Sequence, residues 1–253
     1  MSLSHCASPA KLLMSKTDTS HLVIDGIVSD DWDGALQQDK ETPFQWGVRN
    51  DKTAFYFAFS TEDPALISQT IYRGAEFEIG ASADVKSKGE MLNFRYPLGI
   101  QDVPKLPNGE KVNVFTHLNQ QKNILLKLPN AKEYQRIALD ESADIQARSS
   151  FDGRKLNFEI KIPITSAHTY LLSPDMPIVS LQMFTPIGQI QSSQVIVVRE
   201  TVGEPRIVSA GGQPRGGAVM SSGGTNPPIG MSIPIEQIKE LQLGLKTKIQ
   251  LVF

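Results

Sequence analysis

The sequence predicts an all-β fold, a two-sheet antiparallel β-sandwich. Three observations carry that prediction. Short apolar runs of strand length recur between turn signals, hardly any stretch shows helical periodicity, and one Asp-Gly hairpin stands out clearly. At 253 residues the chain has room for one sizeable core, and all-β sandwiches commonly reach this size as one unit.

Residues 1–20 carry no sustained hydrophobic pattern and read as a flexible tail, so the expected organisation is one sandwich domain over 21–253. The first runs are 21–24 before Asp25-Gly26, 44–48 before Arg49-Asn50-Asp51, and 54–60 before Glu62-Asp63-Pro64. In the stretch Ala54-Phe55-Tyr56-Phe57-Ala58-Phe59, apolar side chains fall on both faces, which suits a central strand. The pattern continues at 75–79, 91–96, 111–115 and 124–128. Runs at 145–149 and 156–162 flank Phe151-Asp152-Gly153-Arg154 and form the expected hairpin. Within it Leu156, Phe158, Ile160 and Ile162 alternate with Asn157, Glu159 and Lys161, so one face is buried and the other wet. Runs at 178–184 and 195–198 add two strands, 237–243 reads as a short helix, and 246–253 reads as a final strand. Between residues 203 and 230 the composition turns to glycine, proline and serine. That segment is either a connector or a flap near a ligand, and a strand after it places the loop within one domain.

Composition narrows the function classes. A net charge of −2, from 25 basic and 27 acidic side chains without a long single-sign block, implies neither nucleic acid nor an anionic membrane as partner. No apolar run approaches the roughly 20 residues needed to span a bilayer. The single cysteine, Cys6, excludes an intrachain disulfide. It follows Met1-Ser2-Leu3, which reads as a leader, and precedes Ala7-Ser8-Pro9. The arrangement resembles a bacterial lipoprotein after signal cleavage, with Cys6 as the lipidated residue; an ordinary free thiol in a tail is the other reading.

A family resemblance rests on the order of several motifs. Ile24-Asp25-Gly26, then Trp32, then the stretch from Val48-Arg49-Asn50-Asp51 through Phe59 to Asp63, resembles the opening of the family 9 carbohydrate-binding modules and the related DOMON group. Gly74-Ala75-Glu76-Phe77-Glu78-Ile79 resembles the next strand of that fold. Phe158-Glu159-Ile160-Lys161-Ile162-Pro163 resembles its late strand. The resemblance spans roughly residues 21–200 and implies a secreted or surface sandwich that works beside polysaccharide-degrading enzymes. Members that bind sugars present paired tryptophans, whereas this chain has only Trp32 and Trp46. Trp32 reads as core packing. Trp46 has a neighbouring aromatic on its strand face and stays open between core and sugar platform.

Catalytic and metal chemistry find little local support. Glu76 and Glu78 share a strand face, where with Asp63 and Asp84 they would suit a calcium ion or simply face water. The histidines His5, His21, His117 and His168 lack zinc-ligand spacing. An axial haem ligand at His117 or His168, paired with a methionine, is formally open through the DOMON resemblance. Neither a G-x-S-x-G elbow nor a phosphate-cradling loop occurs.

The resulting expectation is a non-catalytic, extracytoplasmic carbohydrate-binding module, in the periplasm or at the cell surface, without an obligatory cofactor. The ligand-binding candidates are Trp46, Tyr72, Asn93, Arg95 and Tyr96, because flat aromatic rings match the C–H face of a sugar and polar side chains bond its hydroxyls. A cell-envelope module that contacts a protein partner and a glycan-active enzyme remain the alternatives.

Overall fold

The computed structural model describes residues 12–16, 19, 22–38, 43–80, 91–102, 113–129, 131–139, 144–164, 172, 178–186 and 244–252. Their strands are β1 (Leu12–Met14), β2 (Leu36–Gln37), β3 (Phe44–Asn50), β4 (Ala54–Thr61), β5 (Gly74–Gly80) and β6 (Met91–Leu98). They continue with β7 (Asn123–Lys127), β8 (Gln135–Ala138), β9 (Gln146–Phe151), β10 (Leu156–Pro163), β11 (Ile178–Phe184) and β12 (Gly244–Gln250). Two short helices, α1 (Pro64–Arg73) and α2 (Val114–Asn119), interrupt them.

The strands form two sheets. One has seven strands in the order β1-β12-β11-β5-β6-β7-β8, and the other has five in the order β2-β3-β4-β10-β9. All named pairings are antiparallel except β1 with β12. The inner faces meet through aromatic rings. Phe59 stacks on Phe158 at 4.7 Å within the five-stranded sheet, and Phe77 stacks on Phe94 at 4.7 Å within the other. Phe77 then reaches across the interior, edge-on to Phe57 at 5.2 Å and to Phe158 at 6.0 Å. Such offset and edge-to-face contacts add specificity to the area that the rings bury.

The sandwich expectation holds, and so does the hairpin, with Phe151 opposite Leu156 across its turn. β4 lies between β3 and β10, and all eight of its residues are buried. Its inner face carries Phe55, Phe57 and Phe59. Its outer face carries Ala54, Tyr56 and Ala58, which pack under Val28, Trp32 and Ala35 in a second small core. Residues 22–37 thus cover much of the outer side of the five-stranded sheet.

One carboxylate holds that cover down. Glu159 is fully buried on β10; the Asp25 and Gly26 backbone N–H groups donate to its Oε2 at 3.0 and 2.7 Å, and Trp32 Nε1 donates to Oε1 at 2.6 Å. Gly26 is the only residue type that fits its place. Its φ is +87°, and an added Cβ would meet the Ser149 backbone at 3.0 Å. Gly47 serves the same packing from below, since a Cβ there would meet Ala35 O at 3.1 Å and the Trp32 ring at 3.2 Å.

Three stretches depart from the sequence reading, and the first is the strand-length run at 21–24: its described residues form no strand, and Leu22 and Ile24 pack instead into the small core over β4. The turn expected at Asp63-Pro64 starts α1: Asp63 caps it by accepting from Ala65 N and Leu66 N, and proline suits the first helical turn. Buried Ser68, Gln69 and Thr70 break up its apolar stripe, which hid the helical period. Part of the strand expected at 111–115 is instead α2, which Asn113 caps by accepting from Thr116 N, with Val114 and Leu118 buried one turn apart. The expected strand at 195–198, helix at 237–243 and Gly/Pro-rich loop at 203–230 lie outside the described residues.

Within the segment read as a tail, Leu12–Met14 forms the edge strand β1 beside β12. Asn50, fully buried at the end of β3, gathers both ends of the described chain. Its Nδ2 donates to Val252 O at 2.9 Å, Val252 N donates back to Oδ1 at 3.2 Å, and the Ser15 hydroxyl also donates to Oδ1. The side chain therefore links the two sheets. Asn50→Ala is expected to lower unfolding free energy in urea by about 2–4 kcal/mol, because several buried groups lose their partner at once.

Glu159 gives the fold a pH signature. Burial pushes its carboxyl up from 4.5 to about 7, against the pull of the Trp32, Gly26 and Asp25 donors. A raised folded value means that the native state holds the proton more tightly than the unfolded chain does. Its contribution is therefore complete below pH 4.5 and is lost as pH rises through about 7. Urea midpoints at pH 5 and 8 are expected to show this loss, on the order of 3 kcal/mol, in the wild type and not in Glu159→Gln. Equal pH slopes in the two proteins would mean that Glu159 does not titrate in this range.

Candidate functional site

The outer face of the seven-stranded sheet is polar and recessed. Strand alternation turns Phe77 and Ile79 of β5 inward and Glu76 and Glu78 outward; in β6 it turns Leu92, Phe94 and Tyr96 inward and Asn93 and Arg95 outward. Register then aligns these side chains across strands. One row runs Lys246, Gln182, Glu78, Asn93, Lys127, and the next contains Glu76, Arg95, Leu125 and Arg136.

Arg95 is the best-held member. Its Nε donates to Glu76 Oε2 at 2.9 Å, its Nη1 reaches Asp102 Oδ1 at 3.3 Å, and its guanidinium lies 4.9 Å from the centre of the Tyr134 ring. The Tyr134 hydroxyl donates to Glu76 Oε1, so ring, acid and guanidinium brace one another. The side chains of Arg95, Glu76 and Asp102 are 24, 12 and 10% exposed, low values for a face turned away from the core.

Electrostatics follow from that recess. Burial alone would weaken the charge of Arg95, but the Glu76 and Asp102 carboxylates outweigh it and hold the guanidinium even more firmly protonated. Burial raises Asp102 despite Arg95 and the Gly99 N–H. Glu78 is also raised, by burial and then by the charge of Glu76, with Lys246 opposing. Glu76 is committed to Arg95 and Tyr134, which makes it an anchor for the guanidinium.

The five residues expected to bind ligand do not converge. Asn93 and Arg95 share the recessed face. Trp46 and Tyr96 are corrections to the sequence reading: Trp46 is 7% exposed, opposite Phe59 on the inner face, and Tyr96 is fully buried. The Tyr96 hydroxyl donates to Ser149 Oγ at 3.2 Å, so neither ring offers a face to a sugar. Alternation explains the split within β6, since Tyr96 has the parity of Phe94 and the reverse of Arg95. Tyr72 lies half-buried near the end of α1, where burial raises its hydroxyl, and no hydrogen bond among the described residues ties it to Arg95.

The remaining readings have clear structural outcomes. Asp63 is spent on the cap of α1, and Asp84 lies outside the described residues. Among the described residues no group of three or more His, Cys, Asp or Glu side chains is arranged around a metal position. His117 Nε2 bonds Leu98 O at 2.7 Å and contacts Gln121, and burial lowers its affinity for a proton; His168 and Cys6 lie outside the described residues. Sequence reasoning missed Tyr134, Asp102, Lys127, Gln182 and Lys246. Strand pairing brings Lys127, Gln182, Lys246 and, just before β8, Tyr134 to the face of Asn93 and Arg95, whereas Asp102 lies seven residues beyond Arg95, in the turn that follows β6, and no spacing pattern marks that pair.

No family model matches the chain, and no curated protein matches it. Among solved structures it is similar to a family 9 carbohydrate-binding module from Caldicellulosiruptor kristjanssonii in complex with glucose. That match has 13% identity over 74% of this chain and 83% of the other, with a TM-score of 0.39. A family 9 module from the same organism in complex with cellotriose matches at 13% identity over 69% and 76% of the two chains, with a TM-score of 0.37.

Proposed function

We propose that the chain is a non-catalytic carbohydrate-binding module whose ligand lies across the recessed face of the seven-stranded sheet. The observation that supports this reading most is the row Lys246, Gln182, Glu78, Asn93, Lys127, beside the braced Arg95. It sets donors and acceptors side by side at the strand spacing of about 4.8 Å. A sugar presents hydroxyls that both donate and accept, and such a row answers them without needing net charge. The bracing of Arg95 by two acids and a ring means that little side-chain freedom is lost on binding. On the same reading the module works outside the cytoplasm, tethered through lipid on Cys6.

Glucose and cellotriose, the sugars held by the two similar structures, are the first probes. Isothermal titration of the full chain is expected to show saturable binding of one of them, with Kd roughly between 10 μM and 1 mM. Arg95→Ala is expected to weaken it at least about tenfold, whereas Tyr96→Phe leaves it unchanged and costs about 1 kcal/mol of stability. Loss of binding in Tyr96→Phe with Arg95→Ala silent would place the ligand elsewhere. A blank with both sugars and with a wider glycan array would refute the module reading. The tether is checked separately, by the mass of the Cys6 peptide from protein recovered with membranes.

A further inference from the structure

The two outward rows of the seven-stranded sheet differ in how far their side chains are already engaged. In the row of Arg95, Glu76 accepts from Arg95 Nε and from the Tyr134 hydroxyl, and Asp102 accepts from Arg95 Nη1 and the Gly99 N–H. The guanidinium also lies against the Tyr134 ring. These groups answer one another, which leaves little of their hydrogen-bonding capacity for a ligand.

The row of Glu78 is engaged far less. Register sets Glu78 between two neutral amides, Gln182 of β11 and Asn93 of β6. Among the described residues no hydrogen bond or ion pair ends on the Glu78 carboxylate, and none ends on the Gln182 amide. Asn93 uses only its Nδ2, on Met91 O at 3.2 Å. Glu78 and Gln182 are both partly buried, so the carboxylate is half out of water without a protein donor to replace it. A ligand hydroxyl supplies such a donor.

The charged groups around Glu78 lie along its own strand or farther across the sheet. Glu76 is two residues away on β5, and Arg95 stands diagonally on β6, turned to Glu76 and Asp102. Two strands away are Lys246 and Lys248 of β12 on one side and Lys127 of β7 on the other. Burial and then the charge of Glu76 push the Glu78 carboxyl up, with Lys246 opposing. Glu78 therefore takes up a proton at higher pH than an exposed glutamate does.

We propose that Glu78 is the residue of this face that receives the ligand's hydroxyls, and that it does so as a carboxylate, so that the site holds its ligand in neutral solution and releases it in acid. The inference rests on the carbohydrate reading above. A carboxylate only accepts, and its bonds with hydroxyl donors are about twice as strong as those between neutral groups; the protonated acid gives up part of that capacity. Gln182, Asn93 and Lys127 stand in the same row with donors for the hydroxyl oxygens. Because the ligand favours the ionised form, affinity falls as pH falls, and binding in mildly acidic solution expels protons.

Isothermal titration of the full chain with cellotriose, at pH 7 and pH 4, compares the wild type with Glu78→Gln, which keeps the shape of the side chain and removes its charge. The wild type is expected to lose about fivefold or more in affinity between the two pH values. Glu78→Gln is expected to bind at least about tenfold more weakly than the wild type at pH 7 and to change by less than about twofold at pH 4. Wild-type titrations at pH 5 in buffers of different ionisation enthalpy are expected to show proton release on binding, a readout that a residue merely shaping the face does not move. If Glu78→Gln fails to fold, this second measurement decides. Parallel pH profiles in the two proteins, or binding without proton release, would overturn the role of Glu78 and leave the carbohydrate reading standing. A blank with cellotriose, glucose and a wider glycan array at both pH values would overturn the two together.

Discussion

A buried carboxylate with three N–H donors organises this sandwich. Glu159 sits on β10, with no Lys or Arg bonded to it among the described residues, and it closes the distance between a turn at Asp25-Gly26, an indole at Trp32 and the middle of the five-stranded sheet. The sequence motifs at the two ends of the family resemblance, Ile24-Asp25-Gly26 with Trp32 and the late strand containing Glu159, are therefore partners in one hydrogen-bond set. That contact lays residues 22–37 over Tyr56 and Ala58, gives the five-stranded sheet a second small core, and turns a face that would be wet into a mostly dry one. Because the latch is an acid, burial and hydrogen bonding pull its protonation in opposite directions, and burial wins.

The cover decides where binding surfaces remain. With residues 22–37 roofing much of the five-stranded sheet, a groove beside Gln38 and Gln45 lies at the margin of the cover, and the polar, partly buried face of the seven-stranded sheet carries Arg95. The two surfaces differ chemically. Around Arg95 charges are set against one another and against the Tyr134 ring, so the side chains are held before any ligand arrives. Around Ser60 the amides of Gln38 and Gln45 lie beside the charged groups of Glu62, Asp63 and Lys155. The same strand geometry produced both rows, because residues of like parity on neighbouring strands must align.

Asn50 does for the chain ends what Glu159 does for the cover. A single amide offers an acceptor and two donors, enough to hold Ser15 and both backbone groups of Val252. It works across the sandwich, from β3 in one sheet to the segments that follow β1 and β12 in the other. The edge strand beside β12 lies in a stretch that has no hydrophobic pattern of its own, so its order comes from those long-range bonds and from pairing with a terminal strand.

What the sequence determined by itself is local: strand after strand, the alternation that buries Phe158 and Ile160, the Asp-Gly hairpin, and the motif order that suggested the sandwich. These survive because side-chain direction in a strand has period two and turn residues act over a few positions. The same alternation separates Asn93 and Arg95 from Tyr96, and it was available before the structure. The helix at Asp63-Pro64 was obscured because tertiary packing buries Ser68, Gln69 and Thr70 along with its apolar residues. Most of the residues that surround Asn93 and Arg95 were out of reach, with Glu76 and the nearby Asp102 as exceptions. Glu78 meets Gln182, and Ser60 meets Asn157, about a hundred residues apart in each case, because strand order in a sheet is set by how whole faces pack, and no local pattern encodes it.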